Sequence, residues 1–305
     1  MNSTPSHKEN RKPAVAAIGT FDGVHRGHRS VLKVLADHAK ENDLTPLAFS
    51  FSQHPLALID PKRTPPELTP LGKKKKLLNE AGAKPVVLEF NEDLRHTTAH
   101  DWMKRMRDEF GVKSLVIGYD NTFGSDGVNL SLEDYRNIGE NLGLEILTAP
   151  EIKGVSSSAI RKAVLAGDMP RAQEMLGRPY SITSVVTHGN KLGHTIGYPT
   201  ANITPPPNVA LPKPGVYAAI VKTLHDGKKH PAMVNIGVRP TVMRGDNTVV
   251  EAHIIDWNGD LYDKEITVRF IKRLRDEIKF DSIEALRKQL SADREEALET
   301  TANAL

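Results

Sequence analysis

An α/β domain built on a parallel sheet, followed by a small antiparallel β-barrel with a C-terminal helix, is the fold class that the sequence predicts. Three observations predict it. Five apolar strand-like runs alternate with helix-period stretches up to Arg178. Beyond Arg178 short alternating runs take over, with Asp226-Gly227 and Asn258-Gly259 between them as hairpin signals. The chain then returns to helical spacing from Ile283. A length of 305 residues with 39% hydrophobic content suits two ordinary cores, expected over 14–178 and 179–305.

Met1 to Pro13 is polar and lacks the apolar centre of a signal peptide, so a disordered tail over 1–13 is expected. The first domain's strands are Ala14–Ile18, Pro46–Ser52, Pro85–Phe90, Ser114–Tyr119 and Leu144–Ala149. In a parallel sheet ligands gather beyond the carboxyl ends of the strands, so the loops after these runs are the places to look for chemistry. The second domain's strands are Tyr180–Thr187, Gly215–Thr223, Ala232–Gly237, Thr248–Trp257 and Glu265–Leu274. Asp281 or Ser282 caps the last helix, with Ile283, Leu286 and Leu290 as its apolar stripe.

Charge excludes several partners. Lys plus Arg at 41 against Asp plus Glu at 38 gives +3, which calls for neither nucleic acid nor a membrane surface. No apolar run is long enough to span a bilayer. The absence of cysteine excludes disulfides and thiol chemistry and fits a reducing cytoplasm. The lysine run Lys73 to Lys76 circles a helix and is expected to be a solvated face without a role. The oligomeric state stays open, a homo-oligomer included.

The loop after the first strand reads Gly19-Thr20-Phe21-Asp22-Gly23-Val24-His25-Arg26-Gly27-His28 and runs into a helix. Free N–H groups and the macrodipole make a helix start an anion site. His25 and His28, three apart, face one anion, and Gly27 leaves the backbone open to a phosphate. A second helix start, Gly154-Val155-Ser156-Ser157-Ser158-Ala159-Ile160-Arg161, has a serine N-cap and Gly167 near its end. Arg161 there meets the positive end of the dipole, a conflict that an anion removes.

In the second domain Gly189, Gly193 and Gly197 recur every four residues and lead into Pro199-Thr200-Ala201-Asn202. The glycines suit a flap that approaches phosphates closely, and the Thr200 hydroxyl and Asn202 amide oxygen are hard ligands suited to Mg²⁺. A plain Pro-Thr turn is the competing account. Glu251 alternates with Val249, His253 and Ile255 opposite an apolar face, a place for a general base; an edge-strand glutamate facing water is the alternative.

The first loop resembles the signature of the nucleotidylyltransferases, and Ser156-Ser157-Ser158-Ala159-Ile160-Arg161 resembles their second signature, with Ser158 in place of the usual threonine. The P-T-A-N flap, Pro214 to Tyr217, Asn235 to Thr241, the V-E-x-H run and Arg275 to Phe280 resemble riboflavin kinase. In this order the motifs are similar to those of bifunctional riboflavin kinase/FAD synthetases over about residues 14 to 290. The resemblance implies a Rossmann-like nucleotidylyltransferase domain ahead of a kinase barrel, acting on riboflavin, FMN, FAD and ATP with Mg²⁺. It implies ATP-phosphate contacts at Gly19, Phe21, Asp22, Gly23, His25, Gly27 and His28. Ser156, Ser157, Ser158 and Arg161 join them, as do Gly189, Gly193, Gly197, Thr200 and Asn202 in the kinase.

By the same resemblance Asp120, Phe123, Arg275, Glu277 and Phe280 touch flavin, Thr200 and Asn202 hold the metal, and Glu251, His25 and His28 are catalytic. The loop Gly118 to Gly124 departs from the family pattern, since Asn121 stands where an aromatic is usual. The loop at His54-Pro55 also departs from it. A kinase whose first domain is inactive or takes another nucleotide, and a non-catalytic flavin-binding regulator, are the alternatives.

Overall fold

The computed structural model describes residues 12–119, 121–188, 196–223, 227–239 and 247–304. The tail up to residue 11, Asp120, Gly189, Gly193, Asp226 and Pro240-Thr241 lie outside the described residues. Chain contacts divide the protein into two compact units, Met1–Val155 and Ser156–Leu305. The family motifs change character near Arg178, whereas the contacts divide the chain earlier. The reason is that two helices between these points pack with the barrel: one lies on two of its strands and the other lies on that helix.

In the first unit β1 (Ala14–Ile18), β2 (Thr45–Phe51), β3 (Lys84–Leu88), β4 (Val112–Ile117) and β5 (Glu145–Thr148) form a parallel sheet in the order β3-β2-β1-β4-β5. β1 is apolar throughout because both of its faces are covered. Ala14, Ala16 and Ile18 join Trp102, Met103 and Met106 in one core, while Val15 and Ala17 join Leu32, Leu35 and Leu78 in the other. Helices α1 (Arg26–Glu41) and α3 (Leu71–Glu80) thus cover one face, and α5 (Ala99–Phe110) and α6 (Leu132–Leu142) the other. Each fully buried leucine contributes about 1.5–3 kcal/mol. The short α2 (Leu56–Ile59) and α4 (Glu92–His96) lie in the loops after β2 and β3. Helix boundaries follow local chemistry. Thr98 and a Ser131/Asp134 capping box start α5 and α6, and left-handed Gly111 and Gly143 end them.

The second unit opens with α7 (Ser157–Ala166) and α8 (Met169–Leu176). Its strands are β6 (Tyr180–Thr187), β7 (Ala201–Ile203), β8 (Gly215–Thr223), β9 (Lys229–Arg239), β10 (Asn247–Ile254) and β11 (Glu265–Arg275). They close into an antiparallel barrel in the order β10-β7-β6-β11-β8-β9. β7 was not expected, since Pro199 to Asn202 read as the end of a flap, with a plain turn as the competing account. Asp226-Gly227 joins strands that do pair, β8 and β9. Asn258-Gly259 does not: β10 pairs with β7 and β9, and β11 with β6 and β8. Closing the barrel requires β11 to lie between β6 and β8, so the chain crosses there instead of folding back.

Ser282 caps α9 (Ile283–Thr301), which packs on β8 and β9. The expected stripe is displaced: Ile283 is 56% exposed, and Asp293, Ala297 and Thr301 are the buried positions. A buried carboxylate on this helix masks the periodicity. The lysine run is also corrected, because Lys74 is 8% exposed and lies inside the first unit.

Candidate functional site

β1 lies between β2 and β4, so the strand order reverses direction beside it, and this crevice is where an open parallel sheet binds ligands. Loops from four strands meet there around a cavity of about 560 Å³. Gly19 and Thr20 follow β1, Phe51 and Pro55 close β2, Arg95 and Thr97 follow β3, and Asn121 and Phe123 follow β4. Asn121 donates to the carbonyl of Ile18 at 2.5 Å, tying the β1 and β4 loops together. Arg95, Thr97 and Trp102 carried no sequence signal, because they reach the cavity only through the placement of β3 and α5.

The histidine loop has a demanding backbone. Phe21, Gly23 and Val24 adopt φ of 48°, 85° and 39°, and His25 then caps α1. The His25 Nδ1 accepts from the His28 N–H at 3.3 Å, and the two rings stack with centroids 3.6 Å apart. A Cβ on Gly27 would meet the His25 ring at 3.2 Å, so this glycine makes room for the imidazole pair. No acid occupies the first turn of α1, as an anion site requires. Phe21 and Asp22 turn inward instead. Phe21 packs in the core, and the Asp22 carboxylate accepts from the N–H groups of Leu68 and Thr69 at 3.0–3.1 Å.

Lys74 Nζ donates to the carbonyls of Thr20 and Phe51 at 3.1 and 3.0 Å. Burial pushes its pKa down, against the pull of Asp22 and Glu67, and burial pushes the Glu67 carboxyl up.

Ser156 caps α7 through the Ala159 N–H at 3.1 Å, leaving Ser157 and Ser158 in the first turn. Arg161 is 9% exposed on the same helix, whose first turn also lacks an acid. Gly167 ends it with φ of 79°.

In the barrel, strand register assembles the second site. Glu251 on β10 lies directly opposite Asn202 on β7 and Asn235 on β9. Directly paired residues share a face, so the three side chains form a row across three strands. The other face of β10, Val250, Ala252 and Ile254, is buried. A second cavity of about 230 Å³ is lined by Thr200, Ala201, Trp257 and Tyr262, and by Ala252 and Ile254 from the face of β10 opposite Glu251. His253 fixes the turn before Thr200, with Nδ1 2.8 Å from the Pro199 carbonyl, and burial pushes its pKa down. Gly197 is open, with φ of 83°.

Asn235 also donates to Glu277 Oε1 at 3.3 Å, which brings the segment after β11 to the same row. A side chain at Gly237 would strike Glu277. The Arg275 guanidinium lies 5.9 Å from the Phe280 ring, and Asp293 holds it from behind. Asn235 stood inside a recognised motif without a role, and pairing alone reveals its position beside Glu251. Among the described residues no group of three His, Asp or Glu side chains could hold a metal ion. The Thr200 hydroxyl and the Asn202 amide oxygen are nevertheless hard donors, which fit Mg²⁺.

Residues 7–161 match the FAD synthetase family and residues 176–301 match the riboflavin kinase family. A bifunctional riboflavin kinase/FMN adenylyltransferase of Pseudomonas fluorescens is 36% identical over 296 residues, covering 96% of this chain and 93% of the relative. One from Bacillus subtilis (strain 168) is 33% identical over 308 residues, covering 98% and 96%. A crystal structure described as a macrolide-efflux protein from Streptococcus pneumoniae superposes with a TM-score of 0.86 at 30% identity, covering 94% of both chains. Among the described residues no helix is long and apolar enough to cross a membrane. With one family matched on the parallel sheet, the other on the barrel, and relatives similar over nearly its whole length, this chain belongs to the bifunctional riboflavin kinase/FMN adenylyltransferases.

Proposed function

We propose that this chain phosphorylates riboflavin to FMN with ATP and then adenylylates FMN with a second ATP, giving FAD and pyrophosphate. The observation that carries the kinase step is the register that sets Glu251 between Asn202 and Asn235. Glu251 takes the proton of the ribityl 5′-hydroxyl as its oxygen attacks the γ-phosphorus, and ADP leaves. Thr200 and Asn202 hold Mg²⁺, which neutralises phosphate charge when bound. His253 keeps the Thr200 turn in place. Catalysis is mainly positioning, as is usual for phosphoryl transfer. The 230 Å³ cavity beside Thr200 takes the adenine, and Arg275, Glu277 and Phe280 border the flavin.

In the first unit the 560 Å³ cavity takes the flavin of FMN, with Phe123 in its wall, and the family resemblance assigns a flavin contact to Asp120 as well. A phosphate oxygen of FMN attacks the α-phosphorus of ATP and pyrophosphate leaves. No protein base is required, because that oxygen is already ionised at neutral pH. His25 and His28 bind and neutralise phosphate charge there, and the family resemblance assigns phosphate contacts also to Ser157 and Arg161 at the start of α7 in the second unit. The domains act in the order kinase then adenylyltransferase, over residues 179–305 and 14–178.

The test is a time course with riboflavin, Mg²⁺ and ATP for the parent and His28→Ala. The parent yields FMN first and FAD later, and His28→Ala stops at FMN. Equal loss of both products in a folded His28→Ala protein defeats the two-site assignment. FMN that accumulates without FAD in the parent favours the kinase with an inactive first domain.

A further inference from the structure

Lys74 alone in the run Lys73 to Lys76 is buried, on α3 of the first unit. Its ammonium lies 3.1 Å from the Thr20 carbonyl and 3.0 Å from that of Phe51. The Thr20 carbonyl lies in the loop just after β1 and that of Phe51 ends β2, and both residues line the 560 Å³ cavity. Thr20 also accepts from the buried Ser50 hydroxyl at 3.0 Å. Two residues further along, the Asp22 carboxylate grips the N–H groups of Leu68 and Thr69, just ahead of α3. The cavity wall and the histidine loop are therefore both hung from α3 and the segment that enters it.

Such anchoring answers a need visible in the backbone. Phe21 and Val24 have positive φ without being glycine, and Val24 is β-branched. Conformations of this kind persist only where the surroundings over-determine them. A hydroxyl could hold one carbonyl; an ammonium has three donors and can hold two. Burying it needs opposite charge nearby, which Asp22 in the loop and Glu67 ahead of α3 supply.

We propose that Lys74 is a positioning residue for FMN adenylylation: it pins Thr20 and Phe51 so that the wall of the flavin cavity keeps one shape. This rests on the assignment of the first unit as the FMN adenylylation site. The prediction is specific to affinity, because the pinned carbonyls shape a cavity wall and make no contact with a reacting atom.

The test uses the full chain and four variants: Lys74→Met combined with Glu67→Gln, which removes the ammonium together with one of its two carboxylate partners and leaves Asp22 on the N–H groups of Leu68 and Thr69; Glu67→Gln alone; Lys74→Arg; and Ser50→Ala. Steady-state kinetics of FMN adenylylation give KM for FMN and kcat, and riboflavin phosphorylation in the same samples reports on the barrel. The double variant is expected to raise KM for FMN about tenfold, the loss of one charged hydrogen-bonding group. Ser50→Ala shifts KM the same way by less, and Lys74→Arg restores it to within about threefold of the parent. KM for riboflavin stays at the parental value throughout.

A double variant with parental KM for FMN overturns the proposal, as does a fall in kcat alone, which marks a smaller folded fraction. Glu67→Gln reproducing the whole effect also overturns it. Should the double variant not fold, Ser50→Ala decides, and an unchanged KM for FMN there overturns it. His28→Ala separates the two assignments: persistent FAD formation defeats the site itself, whereas its loss together with parental kinetics in the Lys74 variants defeats only the role of Lys74.

Discussion

Replacing Asp293 by alanine removes the partner of a buried cation. The carboxylate is 3% exposed and the Arg275 side chain 16%. Arg275 donates to it from Nε at 2.9 and 3.1 Å and from Nη2 at 2.7 Å, and Gln289 Nε2 adds a contact at 2.9 Å. Breaking such a pair by deleting one member leaves an uncompensated charge and costs about 3–5 kcal/mol. At about 2–4 °C per kcal/mol for a domain of this size, the barrel should melt about 6–20 °C lower. Solvent-exposed pairs such as Lys33–Asp37 give the contrast, since at 76% and 56% exposure water screens the charges and breaking the pair should leave the melting temperature near the parental value.

The assay is thermal and urea unfolding of Asp293→Ala, Arg275→Met and the double variant Arg275→Met/Asp293→Leu. The double variant should regain most of the loss, because apolar replacement of a buried pair is often neutral. Since Arg275 lies against Phe280 beside the proposed flavin site, Asp293→Ala should also raise KM for riboflavin and leave FMN adenylylation unchanged. A loss below about 1 kcal/mol in Asp293→Ala would show that Arg275 is solvated and refute the anchoring.

Glu251→Gln keeps the row with Asn202 and Asn235 but removes the base, so riboflavin phosphorylation should fall by about 10²–10⁴ while FMN adenylylation continues; a parental kinase rate excludes Glu251 as base. Burial holds the pKa of His253 below its ordinary 6.5, so the unfolded chain takes up more protons on acidification. The stability that His253 contributes is therefore complete above pH 6.5 and is lost as pH falls through the lower folded value, a limb that should flatten in His253→Asn when unfolding is followed between about pH 5 and 8. Gly124 has φ of 92°, and a Cβ there would lie 2.4 Å from the Ala99 nitrogen at the start of α5. Gly124→Ala should destabilise the first unit by about 1–3 kcal/mol and lower its FMN affinity, measured by unfolding and by FMN titration.

The five parallel strands and their covering helices were legible because each rests on local periodicity that a short window contains. The two helix starts at His25 and Ser156 were legible for a related reason, since contiguous residues set their caps. β7 escaped because three residues carry no period, and Asn258-Gly259 misled because a turn pair specifies a bend and not the strand that pairs after it. The displaced stripe of α9 has the same origin as the misjudged lysine run. Asp293 and Lys74 are charged, and polarity in a sequence signals solvent until a distant partner appears.

Sequence alone determined the class of each half, the order of the two halves and the residue types available for phosphate chemistry, all from neighbours along the chain. Only tertiary structure decided which of those residues meet. Register across β7, β10 and β9 sets Asn202, Glu251 and Asn235 in line, and α3 buries Lys74 against the ends of β1 and β2. Contacts between segments 23 to 54 residues apart depend on how the sheets close, and no local pattern encodes that distance.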